Sequence, residues 1–97
     1  MAGRPFSKVD ASPTGFQRSF KKLSPEIKEL VYTAIKELYG DPIPRRLDFK
    51  KLKTHRNPSV WTVTISGNHA YKMSMEIRDG VAILRRVGTH KQIDDNP

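Results

Sequence analysis

The residues best equipped for chemistry lie in two places. His90 closes the run Ala82-Ile83-Leu84-Arg85-Arg86-Val87-Gly88-Thr89-His90, and three lysines, an arginine and a second histidine crowd Lys50-Lys51-Leu52-Lys53-Thr54-His55-Arg56. Residues 45–56 hold six basic groups and one acidic group, so they carry +5 of a net charge of +8. That density favours contact with phosphate or another polyanion such as nucleic acid, ribosome or acidic protein. His55, His69 and His90 have no metal-ligand spacing, and the chain has no cysteine. A zinc site, a thiol nucleophile and a disulfide framework are therefore not expected.

A strand meander must position these groups. Trp61, Val63 and Ile65 alternate with Thr62, Thr64 and Ser66, and Tyr71, Met73, Met75 and Ile77 alternate with Lys72, Ser74, Glu76 and Arg78. Period two marks strands buried on one face. A three-residue loop, Gly67-Asn68-His69, keeps the apolar sets together by pairing Val63 with Met73 and Trp61 with Met75. Asp79-Gly80 fits a type I′ hairpin that places Met75 opposite Leu84 and Ile77 opposite Ala82. The second face then carries Thr62, Thr64, Ser66, Lys72, Ser74, Glu76 and Arg85, interrupted by Val81, Ile83 and Val87. This polar face ends at the Gly88-Thr89-His90 turn, which suggests a surface that meets an anion.

Upstream, Phe6 to Val9 reads as a short edge strand. Thr14-Gly15-Phe16-Gln17 has the form of a capping box opening a helix with Phe16, Phe20 and Leu23 on one side and Arg18, Lys21 and Lys22 in water. Ser24-Pro25-Glu26 starts a second helix, whose stripe runs Ile27, Leu30, Val31, Ala34, Ile35, Leu38. Gly40 is expected at its left-handed C′ position, followed by Pro42. Leu47 to Lys53 reads as a strand with a bulge near Lys50, and Thr54 to Ser59 as a polar connection. After His90 there is room for one helical turn before the acidic Asp94-Asp95. Two helices with apolar faces must bury them on the apolar side of the meander. The expected fold class is α+β, a single domain over residues 1–97. Its two N-terminal helices pack on one face of a mostly antiparallel four- to five-stranded sheet and leave the other face for function. No apolar run reaches the roughly 20 residues of a membrane span, and the first nine residues lack a signal core, so a soluble intracellular protein is expected.

Leu52-Lys53-Thr54-His55-Arg56, Val60-Trp61-Thr62-Val63-Thr64-Ile65, the Asp79-Gly80 hairpin and the Ala82 to His90 run together resemble the RelE/ParE superfamily of toxin-antitoxin toxins. Phe20-Lys21-Lys22-Leu23-Ser24-Pro25-Glu26-Ile27 and Gly40-Asp41-Pro42 follow the same layout, so the resemblance spans roughly Phe16 to His90. It implies a prokaryotic cytoplasmic toxin held by a cognate antitoxin in a hetero-oligomeric complex that binds operator DNA. RelE-like members cut mRNA on the ribosome, whereas ParE-like members inhibit DNA gyrase. Gly88-Thr89-His90 is similar to the YafQ branch, which gives His90 the catalytic role. Thr64 and Asn68 stand where that branch has a histidine and an aspartate, and His69-Ala70 where the family has a Tyr-Arg pair.

Cleaving RNA without a cofactor requires a deprotonated 2′-OH, a protonated 5′ oxygen and cations on the phosphorane. The resemblance assigns the acid to His90 and the cations to Lys51, Lys53, Arg56 and Arg85. Lys50, His55, His69, Thr64, Asn68 and Arg86 would hold the nucleotide and its phosphates. The base is left among His55, His69 and Glu76. Ribosome-dependent mRNA cleavage is the leading reading. Gyrase inhibition, or a homologue that only binds its antitoxin, is the alternative.

Overall fold

The computed structural model describes residues 6–40, 42–56, 59–65 and 70–97, with 53–56 as backbone alone. Along the chain come β1 (Lys8–Asp10), α1 (Thr14–Lys21), α2 (Pro25–Leu38), a 3₁₀ turn (Arg45–Leu47), β2 (Lys50–Arg56), β3 (Ser59–Thr64), β4 (Tyr71–Arg78), β5 (Val81–Thr89) and α3 (His90–Asp95). The strands form one sheet in the order β1-β5-β4-β3-β2, antiparallel except where β1 runs parallel to β5. Among the described residues no helix is long and apolar enough to cross a membrane.

The meander has the register that the alternation predicts. Val63 pairs with Met73, Trp61 with Met75, Met75 with Leu84 and Ile77 with Ala82. Asp79 and Gly80 both have positive φ, 52° and 77°, as the primed hairpin turn requires. The Gly67-Asn68-His69 loop itself lies outside the described residues. One expectation fails in β5. The partner of Ser74 is Arg86 and the partner of Met75 is Leu84, so Arg85 is an extra, bulged residue. The bulge reverses the side-chain parity beyond it, and Val87 joins the apolar face opposite Met73.

That face is the core. Val31, Ala34 and Leu38 of α2 and Phe16 of α1 pack with Val63, Met73, Met75, Leu84 and Val87, all nearly without solvent exposure. Ser24 caps α2 through its hydroxyl, which accepts from the Ile27 N–H, and Pro25 takes the first turn, as expected. The edge strand is Lys8–Asp10, slightly later than Phe6 to Val9, with Phe6 buried against Phe49. The Asp10 carboxylate accepts hydrogen bonds from the hydroxyl and N–H of Ser12, which holds its pKa below the ordinary range as the chain turns towards α1.

Four local expectations are corrected. Gly40 is not left-handed; a Cβ there would stand 3.1 Å from the carbonyls of both Glu37 and Pro42, so close backbone approach requires the glycine. Leu47 belongs to the 3₁₀ turn, and the left-handed Asp48 (φ 48°) re-aims the chain before β2 begins. The register of β2 slips between Lys51 and Arg56, beyond the bulge expected near Lys50, and the strand includes residues 54–56, read earlier as connection. The Gly88-Thr89-His90 segment is no free turn either, because β5 runs to Thr89 and α3 starts at His90.

The capping box forms at the other Thr-x-x-Gln. Thr14 already lies inside α1 because the extended Pro13 occupies the cap position, and Gln17 donates instead to the Ala11 carbonyl. At Thr89 the strand delivers extended backbone to the cap. Its hydroxyl accepts from Gln92 N–H (3.2 Å), and Gln92 Oε1 accepts from Thr89 N–H (2.9 Å). A Cβ on Gly88 would come within 2.6 Å of that same oxygen, so a side chain there would push the Gln92 amide off the Thr89 N–H. Thr89→Ala is expected to lower unfolding free energy by about 1 kcal/mol, against less than ~0.5 kcal/mol for Thr14→Ala, as read from urea denaturation.

Candidate active face

The polar face of the sheet is covered, contrary to the open surface expected from the sequence. Residues 90–97 fold back across β4 and β5, burying Ile93 and Pro97, while Thr62, Thr64, Lys72 and Ser74 beneath are themselves buried. Val60 and Ile93 are almost wholly inaccessible yet lie outside the main core. They show that this second face has its own small apolar floor.

Down β4 the alternate residues Lys72, Ser74 and Glu76 each meet a partner. The Lys72 ammonium lies 3.4 Å from Asp94 Oδ1. The Ser74 hydroxyl donates to the Pro97 carbonyl (3.2 Å), which also accepts from Arg85 Nε (3.3 Å). Both oxygens of Glu76 are taken, one by Arg85 (2.8 Å) and the other by Arg78 (2.7 Å). Glu76 is therefore no free base. The Thr62 hydroxyl is buried and has no hydrogen-bond partner among the described residues.

His90 stands at the rim of this covered face, half exposed, with its backbone N–H on the Ala70 carbonyl at 2.9 Å. Its Nδ1 lies 2.9 Å from Asp94 Oδ2, one helical turn away. Asp94 thus joins His90 to Lys72. Neither partner is among the site residues expected from the sequence, where Lys72 is one of the polar-face residues and Asp94 part of the acidic tail. The signal was present: a capping box at Thr89 starts a helix at His90, and i,i+4 then places Asp94 beside the imidazole.

The other candidate residues are spread more widely. Lys50, Thr62, Ser74 and Arg86 form one row across the sheet, with Lys50 at its far edge beside Asp48 (3.3 Å). Three strand spacings of ~4.8 Å put β2 about 14 Å from β5. Lys51 pairs with Trp61, which places it on the helix-covered side of β2, away from His90. Thr64 pairs with Lys72, and Lys72 with Gly88, so Thr64 sits in the row next to the imidazole. The side chains of Lys53, His55 and Arg56, and all of Asn68 and His69, lie outside the described residues. Of the expected cations, Arg85 and Arg86 lie earlier on β5, Arg86 opposite Ser74, and the structure adds Lys72, which Asp94 links to the imidazole.

β1 pairs with residues 81–83, so among the described residues no strand lies beside the outer edge of β5 further along. A groove of about 790 Å³ runs there between α1 and α3, lined by Arg18, Lys22, Arg86, Thr89, Gln92 and Asp95 among others. The Ser19 hydroxyl accepts the outward Val87 N–H at 3.0 Å. None of the three groove cations is ion-paired among the described residues.

The architecture has a known counterpart. No family model matches the chain, and no curated protein matches it in sequence. Among solved structures it superposes on a chain of the RelB-RelE antitoxin-toxin complex from Methanococcus jannaschii with a TM-score of 0.65 and 24% identity, covering 88% of this chain and 96% of that one. The fold is RelE-like. At this identity the likeness fixes the arrangement of helices and sheet and leaves the chemistry to the side chains. A RelE-like fold was the expectation drawn from the short motifs, and the three-helix, five-stranded architecture agrees with it.

Proposed function

We propose that this protein is the toxin of a toxin-antitoxin pair and that it cleaves mRNA on the ribosome. The RelE-like fold supports the first part, since its structural neighbour was solved as an antitoxin-toxin complex. The second part rests on one observation: an exposed imidazole stands at the rim of a cationic sheet face with its Nδ1 engaged and its Nε2 without a partner among the described residues. A ParE-like gyrase inhibitor has no use for such a group.

In this reading the 2′-OH of the substrate attacks its own phosphorus, the P–O5′ bond breaks, and the imidazolium Nε2–H of His90 gives its proton to the departing 5′ oxygen. Arg86 and Lys50 are exposed for phosphate contact, and Arg85 joins them when Pro97 gives way, while Lys72 stays with Asp94. With Glu76 closed in by two guanidinium groups, the base is drawn from His55, His69 or the ribosome. The groove along β5, with Arg18, Lys22 and Arg86, suits an acidic extended segment of the antitoxin.

Expression without an antitoxin should arrest growth, and primer extension on cellular mRNA should show breaks phased to codons. Arrest without breaks, together with inhibited DNA supercoiling in a gyrase assay, would replace this reading with the gyrase one.

A further inference from the structure

We infer that Asp94 is the positioning residue of His90: its carboxylate, braced by the buried Lys72 ammonium, holds the imidazole proton on Nδ1 and presents Nε2 to the scissile phosphodiester. This rests on the RNA-cleaving reading for its purpose, though not for its geometry. A carboxylate at neutral pH only accepts hydrogen bonds, so the ring nitrogen facing it at 2.9 Å must carry hydrogen whether the imidazole is neutral or charged. A histidine free in water favours the opposite neutral tautomer, with hydrogen on Nε2. Asp94 therefore decides which nitrogen a substrate meets.

Three features keep the carboxylate in place. Lys72 is almost fully buried, and a buried ammonium needs a counter-charge, so Asp94 Oδ1 stays on it and Oδ2 is left for the imidazole. The buried Ile93 anchors α3 one residue earlier, and the Thr89–Gln92 capping box with the His90 N–H to Ala70 carbonyl bond fixes where the helix begins. The other acidic group of the helix, Asp95, is engaged by Lys91 at 3.1 Å.

The test is long-range ¹H–¹⁵N correlation of the imidazoles in the labelled full chain at about pH 8.5, where an ordinary histidine is neutral. The His90 signals are identified by their loss in His90→Ala. The parent should show the Nδ1–H form. Asp94→Asn, whose amide can present either a donor or an acceptor, and Lys72→Met, which frees Asp94 without opening a cavity, should both move His90 toward Nε2–H; Asp95→Asn should not. In a reconstituted translation reaction Asp94→Asn should slow mRNA cleavage roughly 10- to 100-fold, the usual size for a partner that orients a histidine. A parent already in the Nε2–H form, or a tautomer unchanged by Asp94→Asn, would overturn the inference. So would an altered tautomer with undiminished cleavage. If the parent cuts no RNA at all, the RNA-cleaving reading fails, and the spectra alone still decide whether Asp94 sets the tautomer.

Discussion

His90→Ala is expected to reduce ribosome-dependent mRNA cleavage by about 10²- to 10⁴-fold, the contribution typical of one general acid. The loss should be confined to activity because the residue contributes little to the fold. Its side chain is half exposed, and its ion-pair partner Asp94 keeps the Lys72 ammonium when the imidazole is gone. The helix start depends on Thr89 and Gln92 rather than on His90, and alanine is a good helix former at the first position. Circular dichroism, urea stability and antitoxin capture should therefore be unchanged while codon-phased breaks disappear. Cleavage by His90→Ala at the parent rate would remove the imidazole from the reaction.

The largest expected effect on stability lies on the opposite side of the sheet. Leu84→Ala should cost roughly 2–5 kcal/mol, because Leu84 is fully buried opposite Met75 in the core that receives α1 and α2. A protein of this size has only about 5–15 kcal/mol in total, so a fall of that size moves the urea midpoint far to the left. The next residue, Arg85, is the bulge that turns Val87 into the same core, and a collapse around a shortened side chain would have to move that bulge. A loss below about 1 kcal/mol would mean that the site closes freely and that the core does not depend on this register.

Strand register was legible because period two leaves little freedom. Both meander runs place their apolar residues at odd positions, and a two-residue Gly67-Asn68 loop would mix the faces where a three-residue one keeps them apart. The second helix was legible from Ser24-Pro25-Glu26 and its stripe, since cap chemistry and the 3.6-residue period agree there. The polar Thr-x-x-Gln signature occurs twice, and local sequence could not choose between the copies. What chose was the backbone arriving at each: Pro13 already fills the cap position of α1, whereas β5 hands α3 an extended threonine.

From the amino acids alone came the α+β class, the two-sided sheet, the excess of cations and an imidazole at the end of the last meander strand. Tertiary structure decided which cations meet that imidazole, because one bulge and one register slip reassign faces without leaving a mark on composition. It also decided that residues 90–97 close over the polar face. Burying Lys72 and Ser74 is tolerable only when Asp94 and Pro97 supply acceptors from a segment some twenty residues further along the chain, a coincidence of positions in space that periodicity cannot encode.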